Sequence, residues 1–129
     1  MKKRILIVDN DRAVLEVYKA LLSEGYDVAI AMDGKDGVEI FKKFQPHLTL
    51  VNMLMPRVEE VEVDLPTPAM DGAEFTREIK KMAPDAKIVA ISAFARSRGK
   101  EILDAGALEV VKKPLKREEL IEIIEKHIG

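Results

Sequence analysis

Ile5-Leu6-Ile7-Val8, running directly into Asp9-Asn10-Asp11, decides how this chain folds. Four consecutive apolar residues, three of them β-branched, suit a strand covered on both faces rather than one. The acidic and amide residues that stop it suit a turn and a helix N-cap. Val14, Val17, Leu21 and Leu22 then recur at helical spacing until Gly25. Working outward, the same alternation repeats. Tyr26 to Met32 reads as a strand and Asp33-Gly34 as a turn. Val38, Ile40, Phe41 and Phe44 mark a helix that stops before Pro46. Leu48 to Val51 is a third strand ending at Asn52. After Asp71-Gly72 a helix carries Phe75, Ile79 and Met82. Lys87 to Ile91 is a fourth strand ending at Ser92, and residues 97–105 a helix closed by Gly106. Leu108 to Lys112 is a fifth strand, and Leu120, Ile121, Ile123, Ile124 and Ile128 stripe a last helix.

Five strand–helix units point to an α/β fold with a parallel sheet and helices on both faces. In such sheets ligands meet the carboxyl ends of the strands. Polar residues stand at those ends: Asp9 and Asn10, Asn52, Ser92 and Lys113. One alone would be an ordinary loop residue; four strand ends supplying one rim are a candidate site.

Composition narrows the chemistry. The chain has 129 residues, 47% apolar and 34% charged, which suits one domain with its own core over residues 1–129. No apolar run approaches the ~18 residues of a membrane-spanning helix, and no secretory signal is read, so a cytoplasmic location without membrane contact is expected. Cysteine is absent, which removes disulfides, thiol catalysis and Cys-ligated metals. The two histidines, His47 and His127, are too few for a His-built centre; they read as a surface residue before a strand and a last-turn residue suited to the helix dipole. A net charge of −2 offers no general reason to bind nucleic acid.

The rhythm breaks at about 57–70, between Pro56 and Asp71. There Glu60, Glu62 and Asp64 alternate with Val61, Val63 and Leu65, the period of a half-buried strand, before Pro66 and Pro68 forbid regular continuation. The stretch reads as a projecting arm for recognition of a partner or of a second copy. Its acidity also suits a solvated loop.

In combination, Ile5-Leu6-Ile7-Val8-Asp9, Gly34 with Gly37, Pro46, Met55-Pro56, Met70-Asp71-Gly72, Ile91-Ser92-Ala93, Gly106-Ala107 and Lys113-Pro114 resemble the receiver domain of two-component response regulators, including the chemotaxis type. The resemblance covers the chain except about 57–69. It implies a flavodoxin-like, doubly wound sheet of five parallel strands in order 2-1-3-4-5 with five helices. In that family an Asp ending the third strand takes a phosphoryl group from a histidine kinase. Two acidic residues after the first strand help hold Mg²⁺, a Lys before a Pro contacts the phosphoryl oxygens, and a Ser or Thr after the fourth strand reads the outcome. Phosphoryl transfer of this kind needs positioning and charge neutralisation above all.

Here the pattern departs. The acceptor place holds Asn52, whose neutral amide cannot form an acyl phosphate by direct attack, and the second acidic place holds Asn10. Ser92, Lys113 and Pro114 match the switch and phosphate-contact positions, while the aromatic place three residues before the Lys holds Val110. About twelve residues are extra before Asp71. The resemblance, so altered, implies a pseudo-receiver that is no enzyme and acts by protein contacts, with Asn52 a pseudo-acceptor and Asp9 and Asn10 a vestigial acidic pocket. Mg²⁺ is expected weak or absent, since Asp9, Asn10 and Asn52 bring one charge where carboxylates would bring three. Partners would be a histidine kinase or a downstream signalling protein, with a homodimer through the arm as a further expectation. Two alternatives stand beside this. One is a conventional phosphoacceptor regulator carrying Asp→Asn changes at 10 and 52. The other is a flavodoxin-like cofactor protein, disfavoured because Asp9-Asn10-Asp11-Arg12 is acidic and lacks a glycine and hydroxyl cradle for phosphate.

Overall fold

The computed structural model describes residues 1–52, 71–92, 95–113 and 115–129, and for 95–99 the backbone alone. The elements run in chain order β1 (Lys3–Val8), α1 (Arg12–Leu22), β2 (Tyr26–Ala31), α2 (Gly34–Phe44), β3 (Leu48–Asn52), α3 (Gly72–Met82), β4 (Ile88–Ser92), α4 (Ala95–Asp104), β5 (Glu109–Lys112) and α5 (Arg117–Ile128). The sheet is parallel throughout, in order β2-β1-β3-β4-β5, as the resemblance implied.

Side-chain alternation along the strands explains the two layers. Ile5 and Ile7, Leu48 and Leu50, and Val89 and Ile91 face α1 and α5, where Leu15, Tyr18, Leu22, Leu120, Ile123 and Ile124 meet them. Leu6, Val8, Val51, Ile88 and Ala90 face the other way, onto Phe75 and Ile79 of α3, Ile102 of α4 and the partly buried Val38 and Phe41 of α2. Each fully buried aliphatic side chain contributes ~1.5–3 kcal/mol, which is why the unbroken apolar run of β1 must lie inside.

Three helices that follow strands begin on an aspartate. Asp11 accepts from the Ala13 and Val14 N–H groups, Asp33 from Asp36, and Asp71 from Glu74. Asp33-Gly34, read as a turn, supplies the cap and the first residue of α2. On α1 the expected stripe holds at Val14, Leu21 and Leu22, which pack on the core, but Val17 is 54% exposed, and Leu15 and Tyr18 complete the buried face. Helical spacing alone could not place the edge of that face. Met82, expected on the buried face of α3, is 42% exposed at its end. Gly106 closes α4 at φ 119°, a backbone conformation that glycine takes without strain, with the Ala107 N–H returning to Ile102 O.

Candidate functional site

The strand order reverses direction at β1, which lies between β2 and β3, so a crevice opens at the carboxyl ends of β1 and β3. Val8 is in register with Val51, which sets the residues after them, Asp9 and Asn52, side by side. Likewise Ser92 pairs in register with Lys112, and the Lys113 N–H donates to Ser92 O at 3.0 Å. The four strand ends named from sequence thus meet at one rim.

Asp9 is its centre, a carboxylate only 3% exposed. The Lys113 ammonium donates to Asp9 Oδ2 at 2.8 Å. Oδ1 accepts from the Asp11 N–H at 3.0 Å and from Asn52 Nδ2 at 3.1 Å. Asn52 Nδ2 also donates to Asn10 Oδ1 at 3.2 Å. Both carboxylate oxygens are engaged, as a buried charge requires. Asn10 is exposed, Asn52 half-buried and Ser92 fully buried. The negative charge is felt further in: burial pushes the Tyr18 phenol up, a backbone hydrogen bond with Leu115 opposes this, and Asp9 and Glu119 add to the rise.

This donor set fits Mg²⁺ poorly. The ion wants oxygen ligands in near-octahedral array. Here one carboxylate is already bound by an ammonium, and the neighbouring amide turns its NH₂ towards it. Among the described residues no three acidic, His or Cys side chains cluster to hold a metal.

Pro114 lies outside the described residues, as does the whole stretch 53–70 with Glu60, Val61, Glu62, Val63, Asp64 and Leu65. His47, read as a surface residue, is exposed but not idle: its Nδ1 accepts from the Arg4 N–H at 2.9 Å. Desolvation and the nearby Arg4 and Lys3 charges hold it below the usual imidazole range. Sequence reasoning named the residues of the rim but not the pairing of Lys113 with Asp9, which spans 104 positions. It also missed an apolar groove at the opposite end of the sheet, lined by Phe41, Pro46, Met82, Ala83 and Ala86 among others. Met82, read from sequence as part of the buried stripe of α3, lines that groove instead.

The family description of the response regulator receiver domain matches residues 5–125. The chemotaxis protein CheY of Treponema pallidum is 37% identical over 124 residues, covering 94% of this chain and 79% of that protein. The response regulator MprA of Mycolicibacterium vanbaalenii is 33% identical over 123 residues, and the match covers about half, 48%, of its length. Among solved structures, a CheY-like receiver domain protein of Methanospirillum hungatei superposes with a TM-score of 0.81 at 30% identity, covering 98% of this chain and 93% of that one.

Proposed function

The chain belongs to the response regulator receiver domain family, and from that membership we propose a pseudo-receiver: a signalling module that works through protein contacts without aspartyl phosphorylation. The observation that carries this reading is Asn52 at the end of β3, its amide nitrogen turned to Asp9 and Asn10. An acceptor carboxylate would attack phosphorus with a lone pair and carry the phosphoryl as a mixed anhydride. The amide lone pair is delocalised, and its Nδ2 is occupied as a donor. In a phosphorylated receiver the new charge biases a two-state equilibrium. Here that charge has no place to attach, so recognition is constitutive or set by another input.

The Lys113 ammonium balances Asp9 without a divalent ion, and on this reading Mg²⁺ binds weakly or not at all and no catalytic step is performed. The whole chain acts as one receiver-like unit carrying its extra stretch at about 57–70. Partners are a histidine kinase or a downstream signalling protein, met in the cytoplasm. A second reading is a conventional acceptor altered at two positions. It is favoured by Asp9, Ser92 and Lys113 all keeping their places around Asn52.

Incubation with acetyl phosphate, followed by intact mass spectrometry, tests the leading reading. No labile phosphate should be gained. A stoichiometric, hydroxylamine-sensitive adduct mapped to residue 52, with no prior deamidation, would overturn it.

A further inference from the structure

The amino end of the sheet, opposite the polar rim, carries a built surface. A groove of about 450 Å³ lies between the last turns of α2 and α3, lined by Phe41, Lys42, Gln45, Pro46, Met82, Ala83 and Ala86. It adjoins a second hollow of about 240 Å³ through the shared Pro46 and Ala86, lined also by Lys3, His47, Asp85 and Lys87, whose Nζ donates to His127 O at 2.6 Å. Two cations hold the walls in place. Arg4 Nε donates to Phe44 O and Gln45 O, both at 3.0 Å, and Lys80 Nζ to Pro84 O at 3.0 Å and Ala86 O at 2.8 Å. Gln45 is fixed there at φ 49°. The floor is apolar, the rim cationic and the loops tied, so an occupant would meet a preformed site.

We propose that this groove receives the acidic stretch 59–65 of a second copy of the chain, in a head-to-tail contact. That stretch is the chemical complement: Val61, Val63 and Leu65 for the apolar floor, and Glu59, Glu60, Glu62 and Asp64 for the lysines. Long lysine stems let ammonium groups reach acidic side chains while the stems themselves cover apolar surface. The stretch leaves and rejoins the sheet at the carboxyl rim, after Asn52 and before Asp71, whereas the groove opens at the amino end. A stretch anchored at one end of the molecule and a groove that opens at the other would make a heterologous contact. Among the described residues, Lys42 pairs with exposed Glu39 at 3.3 Å, a contact easily exchanged. This contact deepens the protein-contact reading but does not depend on acceptor chemistry, so association and phosphate uptake report separately.

Sedimentation velocity on the full chain tests it. Self-association should rise with concentration and weaken as salt screens the charges. Lys42→Glu and Glu62→Lys should each weaken it about tenfold or more, a loss of ~1.4 kcal/mol, with circular dichroism unchanged. An equimolar mixture of the two variants should regain a 1:1 complex, because one supplies an intact stretch and the other an intact groove. A wild-type chain that stays monomeric overturns the proposal. So does a mixture that fails to associate, or variants that associate as wild type does. A monomeric chain that binds a free peptide of residues 57–67, with Lys42→Glu abolishing that binding, overturns it in favour of a different acidic partner.

Discussion

Thr49 buries a hydroxyl for which the described residues offer no hydrogen-bond partner. It stands on β3 in the alternation that carries Val51 towards α2 and α3. An unpaired buried hydroxyl costs ~1–3 kcal/mol, and an apolar group of the same shape removes that cost. Thr49→Val should therefore stabilise the fold by about 1 kcal/mol and raise the midpoint of thermal melting by about 4 °C, read by calorimetry. An unchanged or lower midpoint would show that the hydroxyl has a partner. Asp9 is the contrasting case. Its charge is equally buried, but every contact it needs is supplied by Lys113, Asn52 and the Asp11 N–H. The identities of Asp9, Asn52, Ser92 and Lys113 as rim residues were legible from where each apolar run stopped. That Thr49 would lack a partner was not, because nothing local distinguishes its hydroxyl from that of a strand threonine bonded to a neighbour.

At the scale of elements, α2 approaches the sheet and α3 through Gly37. A Cβ there would sit 2.8 Å from Phe75 Cε1 and 3.1 Å from Val8 Cγ2. Phe75 is fully buried and its ring cannot swing aside. Gly37→Ala gains ~1 kcal/mol of helix propensity but overpacks the contact by ~1–3 kcal/mol. A net loss of about 1 kcal/mol is expected as a lower urea midpoint at constant slope. The edge strand β5 is tied to α5 differently: Glu109 Oε2 lies 2.5 Å from His127 Nε2 and 3.3 Å from Lys126 Nζ. Burial alone would raise the Glu109 carboxyl, but the hydrogen bonds and charges of His127 and Lys126 outweigh it and hold it below the usual carboxylate range. A carboxylate whose folded value is depressed stabilises the fold above its unfolded value. That contribution is lost as pH falls through the folded one. Glu109→Gln should cost about 1 kcal/mol at pH 7, and its denaturation midpoint should converge with that of the wild type as pH falls through and below the usual carboxylate range. A deficit that persists at low pH would assign the loss to packing. His127 was read from sequence as a complement to its helix dipole, and its place in the last turn agrees. Its partner on another element lies beyond what a helix pattern can show.

At the scale of the molecule, a chain of net charge −2 sorts its charge by end. Aspartates cap α1, α2 and α3 at the carboxyl rim, while Lys19, Lys42, Lys43, Lys80, Lys81 and Lys126 occupy last turns. Each placement complements the helix dipoles. Asn10→Asp together with Asn52→Asp should crowd like charge around Asp9 and replace the Asn52 donor with an acceptor. Without metal the double variant should melt lower than wild type. Millimolar Mg²⁺ should restore it, by about 2.7 kcal/mol at a hundredfold excess over Kd, while wild type stays indifferent. A wild-type chain stabilised to the same degree by Mg²⁺ would contradict the charge argument.

The order of strands and helices was determined by the sequence itself, because burial on two faces demands runs such as Ile5 to Val8 and burial on one demands a helical stripe. The polar strand ends followed, since a parallel sheet must deliver its chain turns to one rim. Only the tertiary structure decided where the buried face of α1 ends, leaving Val17 outside and Tyr18 within. It alone brought Lys113 onto Asp9 across 104 positions and opened a groove between the ends of α2 and α3. Local patterns record how each segment meets an apolar environment. Pairings between distant segments depend on crossing geometry and register, which no single segment encodes.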